Sequence, residues 1–222
     1  MSRETEFIEI SLFPIPGSVA MPYSNVPLHI FEPRYRKMIS ESIAAKRRIG
    51  VCHTKRQISQ SKTNPNIDLK DYLKSNHESY EPYTIFSAGL AELLETTEDG
   101  RMVVQIPMDG RYELIEVLQE VPYTIVKCTK YNDVETKSED VILALRKSLD
   151  IELIDLCQKN QPTLMPLLES PEWSDLSHEE YSFAIFSLVL LEPNMKQMVL
   201  ELKSVNERIR FLQESLSQNY LQ

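Results

Sequence analysis

Leu12-Phe13-Pro14-Ile15-Pro16-Gly17-Ser18-Val19-Ala20-Met21-Pro22-Tyr23-Ser24-Asn25-Val26-Pro27-Leu28-His29-Ile30-Phe31-Glu32-Pro33-Arg34-Tyr35-Arg36 decides the fold. Prolines and apolar residues alternate here in a way that excludes a helix. Pro14, Pro16, Pro22 and Pro27 each remove a backbone donor and push the preceding residue toward extended geometry. The stretch therefore reads as short edge strands joined by rigid turns, not as a central strand. Pro33 then opens a helix at its first turn, where a missing N–H costs nothing. Tyr35, Met38, Ile39 and Ile43 fall on one face of that helix.

Composition sets the outer bounds. The 222 residues are 42 % hydrophobic and 26 % charged, the balance of an ordinary globular protein. They suffice for one large or two small domains. No apolar run approaches the roughly 20 residues that cross a bilayer, and the N-terminus lacks a basic-then-apolar signal pattern. The expected location is the cytoplasm, with no membrane partner. Cys52, Cys128 and Cys157 are odd in number and widely spaced, so they read as reduced, buried, small hydrophobes. The net charge of -9 disfavours nucleic acid, whose phosphates call for a basic footprint. The cluster Arg34, Arg36, Lys37, Lys46, Arg47 and Arg48 reads as a solvated helix end, with a basic ligand patch as the alternative.

Outward from the opening stretch, 7–13 reads as a first strand and 48–53 as a short strand leaving the helix. Residues 54–82 lack an apolar period and read as a long, partly mobile insertion with a helical turn at 69–73. Strands are expected over 83–95, 102–107, 111–117 and 122–128. Asp99-Gly100 and Asp109-Gly110 supply the turns, with Gly89 before the second run. Residues 132–140 read as a polar linker. Helices follow: 141–158; then 181–191, apolar all round and so central; then 193–202; then a last one with Ile209, Leu212 and Leu216 on one face. Ser177–Glu180 and Ser204–Glu207 fit capping boxes.

Leu12 to Pro16, Pro22, and Pro27 to Tyr35 resemble the opening motif of the Lon protease N-terminal domain, the substrate-recognition domain of the ATP-dependent Lon proteases. The resemblance continues through Gly89, Asp99-Gly100, Gly110-Arg111-Tyr112 and Pro122-Tyr123, with Tyr112 where the family often has Phe. It closes with Lys196-Gln197, Leu200-Glu201 and Val205-x-Glu207-Arg208-Ile209. It is weakest over 54–82 and 158–177. It implies an α+β fold: a PUA-like pseudo-barrel of about six strands with one helix over 1–131, then a C-terminal helical bundle over 132–222. It also implies a stand-alone, non-catalytic module that recognises polypeptide segments or a protein partner. The alternatives are a PUA-like RNA-binding module and an adaptor or regulator of a full-length Lon protease.

Catalytic chemistry is sparse. Gly17, Gly50, Gly89, Gly100 and Gly110 include no pair with phosphate-loop spacing, and these 222 residues hold no peptidase module. His29, His53, His77 and His178 lie on separate elements; His29 reads as a hydrogen-bonded structural residue. Cys52 and His53 would point to opposite strand faces, against a catalytic pair. No cofactor or metal is expected. Glu32 and Arg34 read as a cap and ion pair, and Trp173 as docked on the core. Pro14, Pro22, Pro27, Glu32, Arg34, Tyr35, Gly89, Gly100 and Gly110 are assigned structural roles, the glycines setting turns. Met21, Tyr23 and Val26 are the candidate peptide-contact residues, with exposed apolar surface or an unpaired strand edge as the physical route.

Overall fold

A computed structural model of the chain describes residues 6–59, 79–134 and 137–217. Its β-part is β1 (Ile8–Pro14), β2 (Asn25–Ile30), β3 (Arg48–Cys52), β4 (Thr54–Ser59), β5 (Ser79–Pro82), β6 (Ile85–Gly89), β7 (Glu92–Thr96), β8 (Met102–Gln119) and β9 (Thr124–Lys130), with α1 (Pro33–Ala45) between β2 and β3. The helical part comprises α2 (Glu139–Asn160), α3 (Met165–Leu168), α4 (Pro171–Ser174), α5 (His178–Ala184), α6 (Pro193–Glu201) and α7 (Val205–Ser217). The fold is α+β, as the opening stretch implies. No helix among the described residues is long and apolar enough to cross a membrane.

Five strands close a ring. β8 pairs β6, β6 pairs β3, β3 pairs β1, β1 pairs β9, and β9 returns to β8. Only β1 and β3 run parallel, and that pairing requires a crossover, supplied by β2 and α1. Strand alternation then sorts the side chains. Ile10, Leu12, Cys52, Phe86, Ala88, Tyr112, Val126 and Cys128 fill the ring. Ile49 and Val51 face outward onto Tyr35, Met38 and Ile39 of α1. Gly50 is required because the Phe86 ring occupies the place of its Cβ.

The expectation of a turn at Asp109–Gly110 is wrong. β8 runs unbroken through 18 residues. Gly89 pairs Met108 and Ala88 pairs Gly110, so Asp109 is the extra residue of a bulge. Its carboxylate accepts from Arg48 Nε at 2.7 Å and from the Tyr112 hydroxyl at 2.7 Å. Before the bulge β8 carries β2 and β7; after it, β6 and β9. Gly110 thus sets no turn. Gly89 does not either: a Cβ there would overlap the Pro107 carbonyl oxygen. Gly100 does, at φ +79° between β7 and β8.

Other expectations need correction. β1 is interior to the ring, not an edge; Pro14 is tolerated because it ends the strand. The outer residues of the 54–82 insertion pair as an antiparallel arm, β4 with β5, while 60–78 and the expected turn at 69–73 lie outside the described residues. The apolar run 181–191 is not one helix. α5 ends at Ala184, a 3₁₀ turn follows over Ile185–Ser187, and the Ser187 hydroxyl donates to the Ala184 carbonyl at 2.6 Å. A run apolar on every side carries no periodicity from which to read its end. Trp173 is buried in the helical core with Leu149, Leu153, Tyr181, Ile209 and Leu212.

The segment read as a linker contains the joint between sheet and helices. Asp133 accepts hydrogen bonds from Arg111 of β8 and from Arg208 of α7. Arg111 Nη1 also donates to the carbonyls of Leu200 (2.8 Å) and Leu202 (2.7 Å). Arg208 Nε donates to the Ser182 hydroxyl at 2.8 Å. Both guanidiniums pack against Phe183, 5.0 Å and 4.0 Å from its ring centroid. Burial alone would raise the Asp133 carboxyl, but the hydrogen bonds and charges of Arg208 and Arg111 outweigh it and hold the group below the usual carboxylate range.

Asp133→Asn should therefore destabilise the fold by about 3–5 kcal/mol, since it leaves two buried guanidiniums without a counter-charge. The wild-type contribution is complete above the ordinary carboxylate pKa and is lost as pH falls through the lower folded value. Denaturant unfolding between pH 5 and pH 2 should show the corresponding slope in the wild type and a flatter one in the variant. Gly89→Ala should cost about 2–4 kcal/mol by overlap with Pro107, whereas Gly100→Ala should cost about 1 kcal/mol for its backbone angle. Thermal unfolding of the two variants side by side checks the difference.

Candidate functional site

The loop from Ile15 to Ser24 is tied to the ring at short intervals. Ile15 N–H donates to the Cys52 carbonyl at 2.9 Å, and Gly17 N–H to His53 Nδ1 at 3.0 Å. The Ser87 hydroxyl donates to the Ala20 carbonyl at 2.8 Å. Tyr23 N–H donates to the Met108 carbonyl at 2.8 Å, and Met108 N–H to the Ser24 carbonyl at 2.9 Å. Gly17 supplies the positive φ that the loop's first turn needs, and Tyr23 holds φ +63° without a glycine's freedom. Strain of that kind persists only where surrounding bonds over-determine it, and here both flanks of Tyr23 are bonded to β8.

Between this loop and the helical part lies a groove of about 480 Å³. Met21, Tyr23 and Val26 line one side of it. Leu176, Glu180, Phe183, Phe186 and Lys196 line the other. The three contact candidates, scattered over six residues of sequence, thus face one concavity. Phe183 is 1 % exposed and anchors the floor; the Tyr23 ring, 47 % exposed, stands 6.4 Å from it. Burial, the neighbouring Glu179 and the charges of Glu180 and Asp133 push the Tyr23 hydroxyl up to about 12. Glu180 accepts from Ser177 N–H at 2.9 Å and is held below the usual carboxylate range by that capping contact.

Of the motif residues, Pro22 lines the groove beside Met21, Tyr23 and Val26, and the others lie outside its lining. Pro14 closes β1, Pro22 is buried in the loop and Pro27 sits in β2. Glu32 stands at the N-cap position of α1, but its carboxylate makes no cap; it pairs with Arg34 Nε at 2.9 Å. Arg34 lies over the Tyr35 ring at 4.5 Å, and Tyr35 packs 4.2 Å from Phe13. These contacts dock α1 on β1. The other groove wall was not visible in the sequence. The capping box at Ser177 marked the start of α5, but no spacing marked where it stopped and opened Phe183 and Phe186 to the loop.

The candidate chemistry elsewhere disperses. His29 is exposed on β2 and makes no hydrogen bond among the described residues, against expectation. His53 is buried; besides the bond from Gly17, its Nε2 lies 3.3 Å from the Asn194 side-chain oxygen, and its ring stacks on Tyr83. Both ring nitrogens are thereby engaged. Burial pushes the Cys52 thiol up; it also pushes the Cys128 thiol up, to about 12. Cys52 and His53 therefore form no nucleophile–base pair. Among the described residues no three His, Cys, Asp or Glu side chains converge as a metal site. A second hollow, between α1 and β7, is lined by Arg36, Lys37, Leu93 and Met102.

A near-closed strand ring with one docked helix, followed by helices that leave a groove against the ring's proline-rich loop, defines the α+β class of this chain. The chain belongs to the family described as the ATP-dependent protease La (LON) substrate-binding domain, which it matches over residues 9–218. It is 26 % identical over 210 residues to Lon protease 1 of Herpetosiphon aurantiacus, an alignment covering 90 % of this chain and 24 % of that protease. The chain thus spans about a quarter of that relative's length. Its fold is similar to the N-terminal domain of the Mycobacterium avium complex Lon protease (TM-score 0.63, 14 % identity, 95 % of this chain and 99 % of that one). A Lon N-terminal domain protein from Xanthomonas campestris is also similar (TM-score 0.53, 16 % identity, 93 % and 97 %).

His53→Ala should leave the Gly17 N–H without its acceptor and remove the stack on Tyr83. The expected result is a stability loss of about 1–3 kcal/mol and faster amide exchange at Gly17 and Ser18, with little change in the ring strands. Hydrogen exchange by mass spectrometry reads both.

Proposed function

We propose that the chain is a binding module without catalytic chemistry of its own, and that the groove receives apolar side chains of polypeptide segments in the cytoplasm. The convergence of Met21, Tyr23 and Val26 with Phe183 and Phe186 on one groove carries this reading, in a family described by substrate binding. An apolar groove with few polar groups is the usual form of a side-chain receptor. The loop is pre-tied by its bonds to His53, Cys52, Ser87 and Met108, so little ordering cost falls on the binding step. Residues 1–131 provide the loop wall and 132–222 the helical wall; the site needs both parts.

Side chains, not strand addition, are the favoured route at this edge. Pro27 pairs Gln105 and Pro107 pairs Asn25. With no N–H, each proline must occupy a pair whose missing donor faces away from the partner strand. Pro27 therefore removes a donor from the free edge of β2, which blunts it as a template for an added strand. The groove beside that edge keeps its apolar lining.

Replacing Met21, Tyr23 and Val26 together with Ser should weaken capture of an unfolded test protein by about tenfold or more, with an unchanged circular dichroism spectrum. Leu93→Ser, in the hollow beside α1, should leave capture unchanged. Equal capture by wild type and triple variant overturns the proposal.

A further inference from the structure

The charges around the groove are unevenly placed. Glu180 lines it, and Glu179 beside it lies against the Tyr23 hydroxyl, both in the first turn of α5. The charges felt at that hydroxyl are Glu179, Glu180 and Asp133, all negative, while Glu179 is also felt at the Arg111 guanidinium behind it. The positive joint of Arg111 and Arg208 packs against Phe183, with Asp133 bridging the two guanidiniums. Lys196 is the one cation among the described lining residues, and it comes from the first turn of α6 on the helical wall. Tyr23 keeps about half of its surface exposed beside the two glutamates. An exposed aromatic face next to carboxylates is a receptor for an ammonium or guanidinium, which gains from the ring quadrupole and the ion pair together.

We infer that the groove selects apolar segments flanked by Lys or Arg, with the cation seated at Tyr23, Glu179 and Glu180. This rests on the proposed role of the groove and adds the charge of the occupant. The apolar side chain enters toward Phe183 and Phe186, and the neighbouring cation meets the acidic end. The net charge of -9 draws such segments from a distance and repels acidic ones. Glu180 remains anionic at neutral pH because its capping bond from Ser177 favours the charged form. Its role in the cap survives replacement by Gln, which also completes a capping box.

The test uses three labelled peptides with one shared apolar core, flanked by Lys and Arg, by Glu and Asp, or by Ser and Gln. Fluorescence anisotropy at low salt should give binding of the basic-flanked peptide about five- to tenfold tighter than of the neutral one, the size expected of partly exposed ion pairs. Glu179→Gln with Glu180→Gln should erase that preference, bringing the ratio of basic-flanked to neutral-flanked affinity to about one. Raising the salt to about 0.5 M should shrink the preference, since exposed charges are screened. Equal binding of all three peptides overturns the charge preference and leaves the groove reading standing. Tighter binding of the acidic-flanked peptide, abolished by Lys196→Ala, overturns it in favour of the α6 wall. Binding of none of the three overturns the groove reading itself.

Discussion

Asp133 is a single carboxylate shared by two buried guanidiniums, and the relation of sheet to helices depends on it. Arg111 leaves β8 and Arg208 leaves α7; neither side chain is more than 1 % exposed. Such a charge cluster is costly to desolvate. It is tolerated because most of its donors find acceptors: the carbonyls of Leu200 and Leu202, the Ser182 hydroxyl and both oxygens of Asp133. Those carbonyls lie at the end of α6 and just after it, where a helix has no backbone partner to offer. One cluster thereby fixes α6 and α7 against β8, and Phe183, packed against both cations, becomes a rigid floor for the groove.

β8 carries this joint because it is long and bent. A strand of 18 residues that kept one register would present the same partners throughout. The Asp109 bulge lets its first half hold β2 and β7 and its second half close the ring. Arg111 lies two residues past the bulge, beside the helices. Met108, one residue before it, exchanges backbone bonds with Tyr23 and Ser24. The same irregularity therefore places the loop wall of the groove and the support of its floor within four residues of one strand.

Much of this architecture was legible in the sequence. Prolines and an alternating apolar pattern located β1, β2 and α1, and Asp99-Gly100 located a real turn. The same dipeptide at Asp109-Gly110 misled, because a bulge and a turn share residue chemistry and differ in what pairs across them. Arg48 and Tyr112, which hold Asp109 in the bulge, are distant or unremarkable in sequence. Asp133 looked like linker because polarity alone cannot distinguish a solvated carboxylate from one bonded to two arginines 22 and 75 positions away. Met21, Tyr23 and Val26 were named as contact candidates from their place in the proline-rich stretch, and they line the groove. The facing wall was not, since its residues read equally well as the interior of a helix.

The prolines of the opening stretch also account for why a groove, not a strand edge, is available there. A continuous strand from Leu12 to Ile30 would fill the space with its own ladder. Pro14, Pro16 and Pro22 prevent that, and the freed donors between them are satisfied one at a time by Cys52, His53 and Met108. The loop is thus stiff without being a strand, and its apolar side chains are left facing the helices with room between. At Asn25 the chain resumes strand form, and Pro27 within it leaves a donor missing on the outer side. Apolar lining is preserved while the backbone template is withheld, which favours recognition by side-chain character over recognition by shared β-structure.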